Sequence, residues 1–396
     1  MNRRITVKYC FLQGGYWTLA AVAMAFTTPL LEAKGFSGTE IGILSAVKYL
    51  AVLIFQMVLG SFADKHAEKV PLQRMLILMT FVNIIFSFLF YLTGHTMWMA
   101  MLTLIIFGMT IHCASPLVDS LSIQYMNHGV KMNYAISRAC VVVGLIADAF
   151  GANRILIFQI IVSFLFAFFA FNMDAVDFSK ERKKKEKTGD LASENPDTEC
   201  EIGEVHSCFY LLKHFPKYSL FLLGLVFVFA AYNMNSTFLI DWIEGMGGNH
   251  ADYGMAQFVL AMAEIPVALV FYRIRGRVSI DKLMVVCAFF CFLRATATTF
   301  SGSVTLVILS QALELLGLSI YYVGTVYFVM DYLPQADAVK GASLINLAGM
   351  GLGEMAGSIS CGLIKDAFGL RNLMLLSSGV GFVGVVVMVW MWRRLK

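Results

Sequence analysis

The chain has 396 residues, of which 59% are hydrophobic and only 14% are charged, and its net charge is +4. Soluble domains carry about one quarter charged residues, so a soluble fold would lack the polar surface to cover so many apolar side chains. Uncharged stretches of about 20 residues indicate instead a polytopic membrane protein in the lipid bilayer. The small net charge, concentrated in loops, does not favour binding to nucleic acid.

Twelve apolar segments are each long enough to cross about 30 Å of hydrocarbon as a helix. The second is preceded by Ser37-Gly38-Thr39-Glu40, a capping-box pattern that favours a helix start. We expect membrane spans at residues 9–31, 40–62, 71–93, 97–126, 132–151, 154–173, 219–243, 253–273, 282–300, 304–331, 340–364 and 370–392.

One connection between these spans is long. Residues 174–218 are rich in Lys and Glu and then in Ser, Asn and acidic residues, which predicts a solvated linker. It would separate an N-terminal six-helix bundle, 1–173, from a C-terminal six-helix bundle, 219–396. The predicted fold class is therefore an all-α membrane protein of twelve transmembrane helices in two bundles, an arrangement typical of transporters.

Basic residues predict the orientation of the chain. Of the 30 Lys and Arg residues, 23 lie on the side of the termini, four on the other side and three within spans. Cytoplasmic loops carry such an excess of basic residues. We expect a multi-pass protein of the cell (inner, cytoplasmic) membrane with both termini and the linker in the cytoplasm.

The connection after the second span carries a motif, Gly60-Ser61-Phe62-Ala63-Asp64-Lys65-His66-Ala67-Glu68-Lys69. It resembles the G-x-x-x-D-[RK]-x-G-x-[RK] loop of the major facilitator superfamily at Gly60, Asp64, Lys65 and Lys69, whereas Ala67 stands at a family glycine. The resemblance implies the major facilitator fold, with these four residues in a gating loop.

Ionisable side chains at membrane depth cost about 2.5–3.5 kcal/mol each on insertion scales, so each one within a predicted span is a functional candidate. The candidates are Lys48, His112, Asp119, Arg138, Asp148, Glu264, Arg294, Glu314 and Glu354.

Several of these charges lie at similar depths in the membrane, when depth is counted in residues from the nearest loop. Asp119 and Arg138 lie about 14 Å deep on adjacent helices, so we expect them to pair, with His112 two turns away on the face of Asp119. Arg294 and Glu314 reach similar depths on either side of the turn at 301–303, and Glu264 lies near the midplane. Arg294 can neutralise one of these two acids, which leaves the other free to exchange a proton.

The residues at these positions resemble those of the lactose-permease-like oligosaccharide:proton symporters. Ser115-Pro116-Leu117-Val118-Asp119 resembles their A-P-x-x-E motif in span four, and Tyr134, Arg138 and Gly144 match three places of the span-five pattern. Glu264 and Arg294 stand at the family's span-eight acid and span-nine arginine. The resemblance implies that Asp119, Arg138 and Glu264 contact substrate, and we expect His112, on the face of Asp119, to contact it as well.

The chain also departs from that family. Leu145 replaces the tryptophan that stacks on a galactosyl ring, Glu314 replaces a histidine, and Gly317 replaces the proton-carrying glutamate. Two interhelical charge pairs of the family appear as the neutral pairs Ser236 with Gln311 and Asn233 with Met350.

The sequence therefore predicts a monomeric secondary transporter, not an enzyme, that moves a sugar or another small polar organic solute together with protons. Proton coupling is assigned to Glu314, Arg294 and Glu264, and neither a cofactor nor a metal is expected. The solute remains open among disaccharides, nucleosides and aromatic acids, and the roles of Lys48, Asp148 and Glu354 remain open.

Two alternatives remain. A proton-driven exporter of drugs or metabolites shares the fold, but its span-five signature needs a Gly-Pro that residues 141–151 lack. A membrane-embedded sensor or enzyme is disfavoured because the sequence has no H-E-x-x-H, G-x-S-x-G or phosphate-loop motif. Small residues around Glu354 instead favour close helix packing, at Gly349, Gly351, Gly353 and Gly357.

Overall fold

The structure is a computed structural model of the chain. It describes residues 8, 12, 15, 16, 19, 20, 26–65, 71–93, 96–114, 117, 118, 155–172, 208–334 and 337–394. Within these residues the regular structure is entirely helical.

The N-terminal helices are α1 (Thr27–Ala33), α2 (Gly38–Lys65), α3 (Leu72–Thr93), α4 (Met97–Phe107) and α5 (Ile155–Phe171). A π-helical turn, Gly108–His112, continues α4. The predicted capping box begins α2, since the Ser37 N–H donates to Glu40 Oε2 at 2.8 Å and the Glu40 N–H donates to Ser37 Oγ at 3.4 Å.

The C-terminal helices begin with α6 (Cys208–His214), α7 (Pro216–Thr237), α8 (Leu239–Glu244), α9 (His250–Arg275) and α10 (Ile280–Thr299). They continue with α11 (Val304–Ser310), a 3₁₀ segment Gln311–Leu316, and α12 (Leu318–Tyr332). Last come α13 (Ala338–Asn346), a π segment Leu347–Gly353, α14 (Glu354–Phe368) and α15 (Leu370–Arg394).

Among the described residues, six helices are long and apolar enough to cross a bilayer. They are Gly38–Gln56, Leu72–Thr93, Pro216–Thr237, Val304–Tyr332, Lys340–Phe368 and Leu370–Arg393, and two shorter apolar helices are Met97–His112 and Leu156–Phe171. Most of their ends lie within four residues of the predicted span ends, and the exceptions are Gln56, Thr237 and His112. The total of twelve spans stays a prediction, because several of them fall outside the described residues.

Three predicted boundaries are corrected. α2 continues through Lys65, so Asp64 and Lys65 belong to a helix and not to a loop after residue 62. The predicted linker ends in helix, because Cys208–His214 is helical and α7 begins at Pro216, where proline suits the first turn. The seventh predicted span, 219–243, is two helices separated at Phe238.

The α3 helix has an apolar face toward lipid and a polar face toward other helices. Its exposed apolar side chains recur every three or four residues, at Leu78, Phe81, Ile85, Phe88 and Leu92. Its buried face carries the polar side chains. Asn83 Oδ1 accepts from Gln159 Nε2 at 3.2 Å and from Ser163 Oγ at 3.3 Å, which ties α3 to α5. Apolar side chains outside and hydrogen-bonded polar ones between helices are typical of a membrane protein.

The N-terminal and C-terminal helices meet where α2 packs along α14. A Cβ atom on Gly42 would lie 2.5 Å from the Ser358 carbonyl oxygen, and one on Gly362 would clash with the Gly38 carbonyl oxygen. Further along, Gly351 contacts Leu53. Later residues of α2 therefore contact earlier residues of α14 and of the segment before it, so the two helices are antiparallel. Their glycines bring the two backbones into contact.

The two ends of the helices define two faces of the protein. We call the end that carries Pro216, Ile280 and Tyr332 the linker face, and the end that carries Thr93, Thr299 and Phe368 the opposite face. One hydrophobic core runs from the N-terminal helices into residues near the opposite face, including Phe238, Ile243 and Tyr253. A second core lies within the C-terminal helices.

The glycines around Glu354 allow close packing, as the sequence predicted. Cβ atoms on Gly349 and Gly353 would meet Phe229, and one on Gly357 would lie 2.7 Å from the Ala230 carbonyl oxygen. Each of these glycines therefore lets the chain around α14 approach α7.

We expect Gly357→Ala to lower the melting temperature in detergent by several degrees, because overpacking a tight contact costs about 1–3 kcal/mol. Gly379→Ala is the matched control, since nothing lies within 4 Å of its Cβ position. Equal melting temperatures for the two variants, measured by intrinsic fluorescence, would contradict the close packing.

Candidate functional site

Arg294 is the centre of a buried polar cluster in the C-terminal helices, and its side chain is only 1% exposed. Its Nη1 donates to Gln311 Oε1 at 2.9 Å and its Nη2 donates to Ser236 Oγ at 3.3 Å. Its guanidinium carbon lies 4.4 Å from the centre of the Tyr232 ring, within the range of a cation–π interaction. Arg294 thus joins α10 to α7 and to the 3₁₀ segment.

Glu314 faces Arg294, and the closest approach of the pair is 3.4 Å, between Glu314 Oε2 and Arg294 Nε. Both atoms are buried, and neither has a hydrogen-bond partner within the described part of the chain. The separation is that of an ion pair rather than of a short hydrogen bond, so Glu314 keeps one oxygen without a donor beside a fixed cation.

A break in the helix at Gly317 places the Glu314 carboxylate. The 3₁₀ segment ends there, and the Leu318 N–H that follows donates to Glu314 Oε1 at 2.9 Å. A Cβ atom on Gly317 would lie 3.3 Å from Glu314 Oε2 and 3.4 Å from Cys291 Sγ. Gly317 stands where the lactose-permease-like symporters, which the sequence resembles, carry a glutamate, and its lack of a side chain leaves room for the Glu314 carboxylate.

Two tyrosines connect Glu314 with Glu264. Tyr232 on α7 and Tyr322 on α12 each interact electrostatically with Glu314 and Glu264. Tyr322 is 44% exposed, whereas Glu314 is buried. The surroundings of these two acids and two tyrosines are the candidate solute site.

A second polar cluster joins the N-terminal helices to the C-terminal ones. Lys48 on α2 is 2% exposed and interacts electrostatically with Glu354 on α14. The next residue, Tyr49, interacts with Glu354 and accepts a hydrogen bond from Asn233 Nδ2 at 3.3 Å. The His112 ring packs against the Tyr49 ring, with 6.0 Å between ring centres, and its Nε2 is buried without a hydrogen-bond partner in the described residues.

Each of three candidate charges lies in or beside an irregular stretch of helix. Glu314 lies in the 3₁₀ segment, His112 ends the first π segment, and Glu354 directly follows the second. π-helical turns within α-helices are frequent at functional sites, because they shift side chains off the regular helical register and free backbone groups.

The structure brings together some of the predicted site residues. Arg294 and Glu314 form one cluster, and Glu264 lies near their tyrosine neighbours. His112 belongs to the cluster around Tyr49. Asp119, Arg138, Asp148 and Lys69 lie outside the described residues, and so do residues 119–126 of the predicted fourth span and the whole predicted fifth span.

One predicted pairing is wrong. Asn233 was matched with Met350, but a Cβ atom on Gly357 would lie 2.9 Å from Asn233 Cβ, and Ser358 Oγ donates to Asn233 Oδ1 at 3.0 Å. Met350 lies two turns away, next to the glycines that pack on Phe229. The matching of Ser236 with Gln311 fits the structure, since Arg294 donates to both side chains.

Comparison with known proteins agrees with this architecture. Residues 9–376 match the profile of the MFS_1 like family. The chain belongs to this family of the major facilitator superfamily. It is a transporter of that type and not an enzyme. A search of curated protein sequences gives no match.

Solved structures of transporters share the fold. The nucleoside transporter NupG is similar with a TM-score of 0.76 at 14% identity, covering 99% of each chain, and a variant of it reaches 0.80 at 13% identity, covering 99% of this chain and all of that one. The peptide transporter POT in complex with sulfate gives 0.66 at 11% identity, covering 97% of this chain and 93% of that one. At these identities the likeness establishes the fold alone.

A cluster of charges joins the two sets of helices at the opposite face of this major facilitator protein. Lys365 Nζ donates to Glu32 Oε1 at 2.7 Å and also to Asp241 Oδ2, and it lies 4.0 Å from the centre of the Phe238 ring. Beside it, Asp366 Oδ2 accepts from the N–H and the hydroxyl of Thr39, each at 2.6 Å. We call Glu32, Thr39, Asp241, Lys365 and Asp366 the latch.

Glu32 gives the latch a pH dependence. It lies just beyond the first predicted span, and burial raises its pKa from 4.5 to about 7, opposed by its bond to Lys365 and reinforced by Asp241. Once the latch opens to water, Glu32 returns to its ordinary pKa. The closed latch therefore binds the proton more tightly, so protonation stabilises it below about pH 7 and this stabilisation is lost as the pH rises through 7.

We expect hydrogen exchange in residues 36–42, corrected for the intrinsic effect of pH, to be faster at pH 8 than at pH 6. Glu32→Gln, which mimics the protonated acid, should stay protected at both values. Glu244→Gln is the control, because Glu244 is an exposed acid that pairs with His250 at 3.0 Å outside the latch. Equal protection of the unaltered protein at both values would contradict the assignment.

Proposed function

We propose that the protein is a secondary transporter that carries a small polar organic solute, a sugar or a nucleoside, together with protons by alternating access. The observation that carries this proposal is the buried Arg294–Glu314 pair, with Tyr232 and Tyr322 interacting electrostatically with both Glu314 and Glu264. A proton-coupled transporter needs an acid that changes its charge where solute binding can influence it, and this arrangement supplies one.

The groups at this site suit an uncharged, hydroxyl-rich solute. Glu264 and the phenol groups of Tyr232 and Tyr322 can exchange hydrogen bonds with hydroxyl groups. The rings of Tyr232 and Tyr322 offer apolar faces for a sugar or a base. The likeness to the nucleoside transporter NupG supports including nucleosides among the solutes.

Asp119, Arg138 and His112 are proposed to complete the site from the N-terminal helices. Their place in the mechanism rests on matched depth and on the family motif. A guanidinium offers two parallel donors to a carboxylate or to a solute hydroxyl pair, which an ammonium does not. Gly60, Asp64, Lys65 and Lys69 are proposed to gate the linker face.

Glu314 is the proposed proton carrier and Arg294 the group that tunes it. When Glu314 is neutral, Arg294 keeps Gln311, Ser236 and the Tyr232 ring as partners, so loss of the carboxylate charge does not strand the cation. A solute bound at Glu264 influences Glu314 through Tyr232 and Tyr322, because each tyrosine interacts electrostatically with both acids. Protonation and solute binding are coupled in this way within one cluster.

The orientation completes the proposal. With the linker face in the cytoplasm, as the basic residues predict, the latch closes the outer face. The solute site would then exchange with the cytoplasm in this conformation and with the exterior after the latch opens. Protons and the solute are the proposed partners, in a monomer.

The solute is identified by counterflow in proteoliposomes, with radiolabelled sugars, nucleosides and aromatic acids compared at equal concentration. We expect exchange of a sugar or a nucleoside, and competition by its unlabelled form. Exchange of aromatic acids alone would contradict the proposed solute class.

With that solute, Glu314→Gln should preserve exchange but abolish uphill accumulation driven by a pH gradient. Glutamine is fixed in the neutral form, and its amide oxygen can still accept from the Leu318 N–H. Glu244→Gln, a surface change of the same chemistry, should leave accumulation intact. Undiminished accumulation in Glu314→Gln would exclude Glu314 as the carrier.

A further inference from the structure

Gln311 is an uncharged side chain that binds the same guanidinium as Glu314. It is fully buried, and its Oε1 accepts from Arg294 Nη1 at 2.9 Å. Glu314 Oε2 approaches the same group from another side, at 3.4 Å from Arg294 Nε. Gln311 and Glu314 lie one turn apart in the 3₁₀ segment, so one short piece of chain presents Arg294 with a neutral acceptor and an ionisable one.

The Gln311 amide is held with its oxygen toward Arg294. Its Nε2 donates to the Val307 carbonyl oxygen at 3.1 Å. A carbonyl oxygen only accepts and a guanidinium only donates. An amide turned the other way would therefore place two acceptors together at Val307 and two donors together at Arg294, so only one orientation satisfies both neighbours.

Two buried hydroxyl groups complete the surroundings of this amide. Gln311 Nε2 lies 3.1 Å from Ser310 Oγ and 3.3 Å from Thr298 Oγ1, and these two oxygens are 2.9 Å apart. Ser310 donates its proton to the Val307 carbonyl oxygen at 2.6 Å, so the Thr298 hydroxyl donates to Ser310 and both oxygens accept from the amide. Thr298 follows Arg294 by one turn of α10, on the same face of the helix.

The anchored amide restrains the guanidinium beside Glu314. Arg294 Nη1 is bound to Gln311 and Nη2 to Ser236, so two of its three nitrogens are engaged by neutral groups. A charge-assisted hydrogen bond from arginine to a carboxylate spans about 2.7–2.9 Å. The 3.4 Å between Arg294 and Glu314 is longer, although both groups are buried and opposite in charge.

We propose that Gln311, oriented by Val307, Ser310 and Thr298, is a fixed neutral acceptor that keeps Arg294 from closing on Glu314. Gln311 thereby sets how readily Glu314 takes up a proton, because a closer cation favours the charged carboxylate. Thr298 and Ser310 act through Gln311 and are positioning residues. The inference rests on the proposed function, in which Glu314 is the proton carrier, and it adds the group that adjusts this carrier.

Other titratable side chains around Glu314 come from four helices. They are Cys291 on α10, Tyr232 on α7, Tyr322 on α12, and Glu264 on α9, which shares both tyrosines with Glu314. The adjoining helix α11 carries no ionisable side chain. None of these groups is altered in the variants below, so a difference between variants reports on Arg294 and its acceptors.

The test reads the protonation of Glu314 directly, without a solute. Infrared difference spectra of the full-length protein in liposomes, recorded as the pH is stepped from acid to alkaline, show the C=O stretch of a neutral carboxylic acid. The band that Glu314→Gln removes in each background belongs to Glu314. Its intensity gives the midpoint, the pH at which half of Glu314 is protonated.

Two substitutions of Gln311 should shift this midpoint in opposite directions. Gln311→Met keeps the length of the side chain but offers no oxygen, so Arg294 should close on Glu314 and the midpoint should fall by at least about one unit. Gln311→Glu supplies a second carboxylate that draws Arg294 away and adds a like charge, so the midpoint should rise. General damage to the fold does not predict shifts of opposite sign at one position.

The hydroxyl groups are tested in the same way. Thr298→Val combined with Ser310→Ala should lower the midpoint as Gln311→Met does, by a smaller amount, whereas Thr298→Ser keeps the hydroxyl and should leave it unchanged. Thr299→Val is the matched control, because this buried hydroxyl on the next residue of α10 contacts the Met374 carbonyl oxygen and Ser378 Oγ on α15. It should not move the midpoint.

Midpoints that stay unchanged in both Gln311 variants, or that shift in the same direction, would overturn the inference, and so would a Glu314 band that does not respond to pH. An unchanged midpoint in the double hydroxyl variant would overturn the assignment of Thr298 and Ser310.

Uphill accumulation is measured in the same liposomes with the solute found by counterflow. The expected midpoints in a protein that accumulates no solute would contradict the proposed function alone. Accumulation driven by a pH gradient, together with a midpoint that Gln311→Met and Gln311→Glu leave unchanged, would contradict this inference alone.

Discussion

The cost of a charge in hydrocarbon is the constraint on which the rest of this structure depends. Arg294 cannot remain at 1% exposure without acceptors, and it obtains them from two neighbouring segments at once, α7 and the 3₁₀ segment. The positions of α7, α10 and the 3₁₀ segment are thereby fixed relative to one another around one guanidinium. A buried charge with several partners specifies geometry more than it adds stability, since its desolvation offsets much of the attraction.

Irregular helix supplies the groups that these charges need. A regular helix uses every internal N–H in its own hydrogen bonds, so a buried carboxylate in it finds no backbone donor. The break at Gly317 gives Glu314 the Leu318 N–H, and the π segments precede Glu354 and include His112. Glycines recur at these places because the chain must come close to a side chain or to another helix, as Gly108 does beside Lys48.

The sequence predicted the elements of the fold better than their contacts. Hydropathy placed most described helix ends within three residues, because the thickness of the bilayer sets the length of an apolar segment. The proximity of Arg294 and Glu314 was also predictable, since a short turn joins their helices and equal distance along the chain means equal depth. Lys48 and Glu354 are far apart in sequence and share no turn. Their register depends on glycine contacts between α2 and α14, which hydropathy does not encode, and the same limit produced the wrong pairing of Asn233 with Met350.

The latch differs from the two buried clusters in its access to water. Lys365, Glu32 and Asp241 lie at the opposite face, where each is still 18–27% exposed, so water can replace their mutual contacts when that face opens. Arg294 and Glu314 lie within one set of helices and can stay together while the sets move as bodies. Lys48 and Glu354 are divided between the sets, and Lys48 is only 2% exposed. A movement of one set against the other therefore changes the surroundings of a nearly dry ammonium, which the clusters within one set and the latch at the surface do not require.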